Sequence, residues 1–142
     1  MGGQMTKKQY LRQGYKIRQE IKIQNDILIE LENNLDNVKS FDYSKDKLQG
    51  GPVQDDTVMI EKINRIIEVQ EIIREKETEL KRLQANLYLE INRLTNTNEK
   101  ILLQARYILN ETWEQIAERL GYSVRQIHRV HSSALENFKI IF

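Results

Sequence analysis

The sequence predicts an all-α protein: a long antiparallel helical hairpin followed by a C-terminal unit of short helices. Two observations predict this class. Glu, Lys, Leu, Ile, Gln and Asn are abundant, while 142 residues contain only six glycines and one proline, a composition that favours helix. In addition, the sequence has no run of alternating β-branched residues bounded by turn residues, which would predict a strand.

The first predicted helix covers about residues 6–39. Its apolar residues recur at intervals of four and three, interrupted by Gln24, and this is the spacing of a coiled-coil seam. Ile23, Ile27 and Ile29 widen the apolar stripe, which is typical of a helix with more than one neighbour. The seam positions are Ile17, Ile21, Gln24, Leu28, Leu31, Leu35 and Val38.

Helical periodicity stops at about residue 40, and residues 40–56 are predicted to be a linker. Ser, Asp, a Gly-Gly pair and Pro52 cluster there, and these residues favour turns and loops. The sequence favours a flexible loop over a packed one. The predicted domains are residues 1–95, a helical hairpin and oligomerisation region containing this linker, and residues 96–142, a C-terminal domain of short helices.

The second long helix is predicted for about residues 57–95, with Asp55 or Asp56 as its N-cap. Folding back at the linker would place Gln24 opposite Gln70 to Ile73, where a buried Gln pair would fix the register. Pairing within one chain and pairing between chains both remain open, and a four-helix dimer core would satisfy both. The predicted seam is Met59, Ile63, Ile66, Gln70, Ile73, Glu77, Leu80, Gln84, Leu87, Ile91 and Leu94.

A third helix is predicted from about Glu99 to Leu109, capped by Thr97 or Asn98. Two further capped helices follow it. Thr112 with Gln115 and Ser123 with Gln126 both have capping-box spacing, and Gly121 between them suits a helix C-terminus. Two helices joined by a tight turn predict a helix-turn-helix supported by the third helix.

The second helix of this motif, residues 123–135, is the predicted recognition helix. In a helix-turn-helix, the N-terminal residues of that helix reach base edges in the major groove. Arginine can donate two hydrogen bonds to guanine. The predicted base-contacting residues are Val124, Arg125, His128 and Arg129.

A second set of polar residues is predicted to contact phosphates, which positions a protein on DNA without reading sequence; ordinary surface is the alternative. The set is Thr112, Tyr122, Ser123, Ser132, Ser133, Arg106 and Lys139. His131 is predicted to be semi-buried, and Tyr107 and Trp113 to be core aromatics. Residues 7–22 carry six basic residues and one acid. Two interpretations of that stretch are open: it contacts DNA or RNA polymerase, or it is a solvated helix face. The sequence favours the solvated face.

The run TWEQIAERLGYSVRQIHRVHSSAL resembles the DNA-binding helix-turn-helix of sigma factor region 4, with which it aligns without a gap. ARYIL upstream and Arg-x-His-x-x-Ala-Leu resemble a narrower group, the small sigma-like transcriptional regulators of phages and mobile elements in Gram-positive bacteria, of the RinA and ArpU late-regulator type. The resemblance implies a transcriptional role. The four predicted base-contacting residues differ from those of primary sigma factors, which implies a target other than a standard promoter element.

Other classes are not expected. The chain has no cysteine and two histidines, so neither a thiolate nucleophile nor an all-His metal site is predicted. No apolar run reaches the length of a membrane span, and the N-terminus lacks the apolar core of a signal peptide. We expect a cytoplasmic protein of a bacterial host cell, without enzymatic activity or a cofactor. The net charge of +1 is low for a DNA-binding protein.

The sequence therefore predicts a sequence-specific regulator that binds double-stranded DNA. The long helices predict a homodimer or a higher oligomer, RNA polymerase is a further candidate partner, and no membrane is expected. Two alternatives stay open. One is a DNA-packaging recognition subunit similar to a phage small terminase, and the other is a helical module that binds protein instead of DNA.

Overall fold

The computed structural model describes residues 5–49 and 56–140, and for residues 36–49 it describes the backbone alone. This part of the chain is all-helical, as predicted. Over these ranges, every helix is either too short or too polar to span a lipid bilayer. The helices are α1 (Lys7–Leu11), α2 (Gln13–Gln49), α3 (Asp56–Ile91), α4 (Thr97–Tyr107), α5 (Trp113–Leu120) and α6 (Val124–Asn137).

The first predicted helix is divided in two. Thr6 caps α1 with a reciprocal capping box to Gln9, and the chain turns at Arg12 before α2 begins. The predicted linker start at residue 40 is wrong, because α2 continues to Gln49. The physical reason lies in the composition of residues 40–49, which contain neither Gly nor Pro. The rest of the predicted linker, residues 50–55, lies outside the described residues.

The boundary between the long helices and the C-terminal helices also differs from the prediction. Helix α3 ends at Ile91, and Asn96, not Thr97 or Asn98, is the N-cap of α4. The Asn96 side-chain oxygen accepts a hydrogen bond from the Glu99 backbone N–H at 3.0 Å. Asn is as good an N-cap as Ser or Asp and better than Thr, which is consistent with Asn96 rather than Thr97 as the cap.

The chain forms two compact units, which divide it differently from the predicted boundary at residues 95 and 96. Unit 1 comprises Met1–Arg18 and Glu79–Phe142, and unit 2 comprises Gln19–Thr78. The reason is burial: Leu11, near the N-terminus, has no exposed surface and belongs to the same core as the C-terminal helices. The end of α3 contributes to that core as well.

The core of unit 1 is assembled from residues far apart in sequence. Helices α4, α5 and α6 pack on one another, and the Tyr10 and Phe138 rings lie 6.2 Å apart between centroids. Tyr10 also donates a 2.6 Å hydrogen bond to the carboxylate of Glu90, and burial with that contact raises the pKa of Tyr10 to about 12. Side chains without exposed surface include Leu11, Leu87, Ile91, Leu102, Leu103, Ile116, Ile127 and Phe138.

In unit 2, the seam of α2 is as predicted up to Leu35, beyond which side chains are not described. Within unit 2, the predicted seam of α3 is wrong at Ile63, Gln70 and Glu77, which are exposed, whereas Val69 is buried. The later seam positions in α3, residues 80–91, are half-buried or buried as predicted. The hypothesised buried pair of Gln24 with Gln70 is therefore not formed. The inward face of α3 is Met59, Lys62, Ile66, Val69, Ile73 and Lys76.

This corrected face needs no buried glutamine or glutamate. Lys62 and Lys76 are half-buried, which fits lysine because its aliphatic stem can cover apolar surface while its ammonium reaches water. The ammonium of Lys76 pairs with the carboxylate of Glu20 at 3.2 Å, joining α2 to α3. The heptad spacing alone allowed both faces, and the apolar side chain of Val69 favours the observed one.

Candidate nucleic-acid interface

Helices α5 and α6 begin with the same local structure. The Thr112 hydroxyl accepts a hydrogen bond from the Gln115 N–H at 3.1 Å, and the Gln115 side chain accepts one from the Thr112 N–H at 2.8 Å. Ser123 and Gln126 repeat this arrangement at 3.2 and 2.9 Å. Each box satisfies backbone donors that have no partner within the helix, so both predicted caps are confirmed.

The turn between α5 and α6 depends on Gly121. Its φ is +74°, and its N–H bonds to the Ala117 carbonyl. A Cβ at this position would have no heavy atom within 4 Å, so the requirement for glycine is conformational, not steric. The Tyr122 N–H bonds to the same carbonyl at 3.0 Å, and the chain then enters the cap of α6.

Helix α6 has a buried face and a polar face. Ile127 and Ala134 are completely buried, and they fix the helix against the core. Arg125, His128 and Arg129 are exposed, as predicted for residues on the outer face.

Val124 does not lie on that outer face. It is half-buried and packs against the core, so the prediction that it points outward is wrong. The physical reason is helical spacing: residue 124 lies three residues before Ile127 and seven before His131, on the inward stripe.

An aromatic cluster supports the exposed face of α6. The Trp113 ring lies 4.8 Å from the ring of His128 and 4.9 Å from that of His131, between centroids. The Arg106 guanidinium also lies over Trp113, 4.1 Å from the ring centroid. Trp113 is half-buried and packs against the core, consistent with its predicted core position. His128, although exposed, is therefore held by a packed neighbour.

His131 lies beneath this cluster and is buried, as predicted. Its Nε2 lies 2.7 Å from the Tyr107 hydroxyl. Burial, reinforced by the positive charges of Lys8 and Arg106, lowers the pKa of His131 to about 4. Burial also raises the pKa of Tyr107. At neutral pH the pair is therefore uncharged, and it forms a polar contact within the core between α4 and α6.

A family model matches residues 37–139 of the chain, most of its length. The chain belongs to the family described as "Protein of unknown function (DUF1492)". No curated protein matches the chain, and neither does any solved structure. The DUF1492 match covers helices α3 to α6 completely, so every residue of the candidate interface on α5 and α6 lies within it.

The predicted phosphate-contacting residues of this DUF1492 chain fall into two groups. Thr112, Ser123, Ser132 and Lys139 are exposed. The Thr112 and Ser123 hydroxyls also form the capping boxes, and the Ser132 hydroxyl donates to the His128 carbonyl at 3.2 Å. The side chains of the remaining three bond to more distant parts of unit 1. These are Arg106, which donates to the Glu111 carbonyl at 2.8 Å; Tyr122, whose hydroxyl accepts from Asn98 at 2.8 Å; and Ser133, which donates to Glu99 at 2.7 Å.

Two supporting residues were not identified from the sequence. Glu99 is buried and accepts hydrogen bonds from Ser133 and Asn137, at 2.7 and 3.0 Å, thereby joining α4 to α6. The Lys7 ammonium donates to the carbonyls of Leu135 and Glu136, at 2.9 and 3.1 Å, in the last turn of α6. Lysine often binds the last carbonyls of a helix, but nothing local in the sequence pairs residue 7 with residue 135.

Acidic groups are present on α5. Glu111, just before it, forms an ion pair with Arg119, and the hydrogen bonds from that guanidinium lower the pKa of the Glu111 carboxyl. Glu114 and Glu118 are exposed. Within the described ranges, no three His, Cys, Asp or Glu side chains are grouped as a metal site would require.

Proposed function

We propose that this protein is a sequence-specific regulator of transcription that binds double-stranded DNA. In this proposal α4, α5 and α6 form a helix-turn-helix of the sigma region 4 type, and α6 is the recognition helix. The observation that carries it is the outer face of α6: Arg125, His128 and Arg129 stand exposed on the first two turns of a helix whose opposite face is fixed in a core.

The chemistry of these three side chains suits base edges. Each arginine can donate two hydrogen bonds to O6 and N7 of a guanine, which is the commonest specific contact in the major groove. His128 offers a planar ring with nitrogen donors and acceptors, held against Trp113. A capped, packed helix presents such groups with little freedom, and that reduces the entropic cost of binding.

Electrostatics favour the same face. Between Ser123 and Asn137, α6 carries two arginines and has no acid before Glu136. The exposed acids of α5 stand at Glu114 and Glu118, so α6 suits the groove better than α5 does. The low net charge of the whole chain, +1, predicts weak non-specific affinity, so base contacts should contribute a large share of binding.

A single helix-turn-helix offers a small contact area, and proteins of this kind usually dimerise on two half-sites. We propose that α2 and α3 pair as an antiparallel hairpin and that unit 2 binds a second copy of this chain. Supporting this, unit 2 exposes large apolar side chains for which the described residues supply no cover. They are Ile23, Ile27, Ile29, Val58, Ile60, Ile63, Ile67 and Ile72.

The test of DNA reading is selection from a library of random duplexes at near-physiological salt. Wild type should enrich one motif, palindromic or repeated. An Arg125→Ala, Arg129→Ala double variant should lose it, because each lost base contact costs about 1–3 kcal/mol. An Arg65→Ala, Arg74→Ala variant removes the same charge from exposed positions of unit 2 and should enrich the wild-type motif.

The result that counts against the proposal is a motif unchanged by loss of Arg125 and Arg129, or no motif with wild type. Mass measurement by light scattering, run on the same samples, distinguishes the assemblies. A dimer supports the regulator, whereas a ring of many subunits favours a DNA-packaging recognition subunit. If no motif is selected and RNA polymerase captures the protein, the polymerase would be the source of sequence specificity.

A further inference from the structure

Beside the N-terminus of α5, unit 1 contains a polar cleft of about 260 Å³. One wall comes from the chain's N-terminal segment, residues 6–18, and the other from the end of α4 and the loop before α5. The lining residues are Leu11, Arg12, Tyr15, Arg106, Tyr107, Asn110, Glu111 and Thr112. None of the lining residues belongs to α6, so the proposed base contacts do not assign a role to this cleft.

We propose that this cleft, together with Lys8 one helical turn before Arg12, binds the phosphate backbone of DNA next to the bases that α6 contacts. The inference rests on the proposed function and deepens it: the DNA surface would include Lys8 and Arg12 from the opposite end of the chain. These residues would set affinity without reading sequence, as phosphate contacts do.

The first support is charge. Arg12 and Arg106 are close enough to Tyr107 for both positive charges to act on its hydroxyl, and Lys8 and Arg106 act in the same way on His131. Arg12 and Arg106 line the cleft together with Tyr107, and Lys8 is one helical turn before Arg12. In the part of the chain that the structure describes, none of the three forms an ion pair with a carboxylate. Concentrated positive charge of this kind attracts a polyanion.

The nearest acid does not cancel this charge. Glu111 lines the cleft, but its carboxylate is bound by the Arg119 guanidinium through two nitrogens. The remaining polar lining groups include the Tyr15 hydroxyl, the Asn110 amide and the Thr112 hydroxyl. Guanidinium groups with neutral hydroxyl and amide donors are the usual partners of DNA phosphates.

The second support is position. In a helix-turn-helix, the first helix crosses the sugar-phosphate backbone while the second enters the groove. Thr112, the N-cap of α5, lines the cleft. The next residue, Trp113, contacts the exposed ring of His128 on α6. The cleft and the outer face of α6 are thus neighbours, connected through the Trp113 side chain. Groups that contact a DNA strand and the bases beside it must lie close together in this way.

The third support is rigidity of the N-terminal segment. Leu11 is completely buried, Tyr10 bonds to Glu90, and Lys7 holds the last carbonyls of α6. Lys8 and Arg12 themselves are exposed, and the Arg12 guanidinium lies 5.2 Å from the centroid of the Tyr15 ring. Two exposed cations on a segment anchored by three contacts are presented in a defined geometry.

The experiment compares the full-length protein with a Lys8→Ala, Arg12→Ala variant, using a fluorescent duplex that carries the selected motif and a second duplex of unrelated sequence. Kd is measured by anisotropy across a salt series. The variant should bind both duplexes about tenfold more weakly near physiological salt, and its slope of log K against log salt should be smaller by about 2, roughly 0.9 for each lost phosphate contact. The selected motif should stay the same.

Two controls keep the outcome interpretable. An Arg12→Lys variant retains the positive charge, so its slope of log K against log salt should be close to that of wild type. The Arg65→Ala, Arg74→Ala variant should also have the wild-type slope. Circular dichroism melting confirms that each variant is folded. Because the unrelated duplex reports backbone binding alone, the salt slope can be measured even if no motif is ever selected.

An unchanged salt slope in a folded Lys8→Ala, Arg12→Ala variant overturns the inference while leaving the proposed function intact, provided that Arg125→Ala, Arg129→Ala loses the motif. Unchanged DNA binding with lost capture by RNA polymerase would assign the cleft to an acidic protein surface instead. Failure of wild type to bind either duplex contradicts the proposed function itself.

Discussion

The short helices of unit 1 and the long helices of unit 2 differ in how completely they bury their apolar side chains. Helices α5 and α6 have reciprocal caps, and eight large apolar side chains of unit 1 have no exposed surface. In unit 2 the buried apolar residues Ile66, Val69 and Ile73 retain 8–9% exposure, and several isoleucines are about half exposed. Unit 1 therefore completes a core within one chain, whereas unit 2 leaves apolar surface that a second copy would cover.

The comparison shows where single-chain stability resides. A fully buried aliphatic side chain stabilises through transfer from water and through close packing, and these side chains are concentrated in unit 1. In proteins, most of the stability of a helix comes from packing of its apolar face and less from helix propensity, and in unit 2 much of the apolar surface of α2 and α3 is exposed. Substitutions should consequently have unequal effects in the two units.

The largest expected effect is from Ile116→Ala, which leaves a cavity in the core of unit 1 and should lower the free energy of unfolding by about 2–5 kcal/mol. Urea denaturation followed by circular dichroism measures it. The matched change in unit 2, Ile60→Ala, at a residue 55% exposed, should cost under about 1 kcal/mol at low protein concentration. Equal losses in the two variants would contradict the comparison.

The next effect concerns pH. Unfolded His131 binds its proton near the ordinary pKa of 6.5, whereas folded His131 does so only near 4. Between these values the unfolded state holds more protons, so stability falls as the pH drops from about 6.5 towards 4, by about 3 kcal/mol in total. Urea midpoints measured at steps of pH should follow this loss. The slope should be shallower in His131→Gln, and an equal slope would show that another group causes it.

A smaller effect is expected at the turn between α5 and α6. Gly121→Ala should destabilise by about 1 kcal/mol, because alanine is strained at positive φ, although a methyl group meets nothing there. Gly14→Ala is the matched control: that glycine lies within α2, and its added Cβ would make ordinary contact with Leu80 at 3.5 Å. Gly14→Ala should be neutral or stabilising, since alanine favours helix. Thermal melting compares the two variants, and a reversed order would refute the conformational argument.

The smallest effect is expected for the ion pair between Glu20 and Lys76 in unit 2. Because 52% of the Glu20 side chain and 30% of the Lys76 side chain are exposed, the pair is screened by solvent. A double-mutant cycle with alanine at each position should give a coupling below about 1 kcal/mol that decreases with added salt. A larger coupling, insensitive to salt, would mean that polar pairing rather than apolar burial holds unit 2 together.

Local patterns in the sequence were sufficient for the capped helices of unit 1. The boxes at Thr112 and Ser123 and the turn at Gly121 each involve residues within four positions of one another, so their chemistry specifies the structure directly. The same is true of the buried stripe through Ile127 and Ala134. The outward position of Val124 was misjudged because one residue at the edge of a stripe can belong to either face.

The contacts that the sequence could not predict are distant or ambiguous. Leu11, Lys7 and Glu90 join unit 1 through partners about 80 to 130 residues away, which no periodicity encodes. In α3 the alternation of three and four fits two seams, and spacing alone does not distinguish the seam through Val69 from the seam through Gln70. The contacts with bases and phosphates are predictions that depend on the proposed function.

The contacts of Lys7 with the last turn of α6 have a consequence for how the protein is made. Leu11 and Phe138 share one core, so Leu11 leaves the ribosome long before the rest of that core has been synthesised. Unit 1 can complete its folding only after Phe138 has been synthesised, and its many long-range contacts should slow that step. A fragment that begins at residue 96 would lack Leu11, Leu87 and Ile91, and would expose the apolar surfaces that they cover.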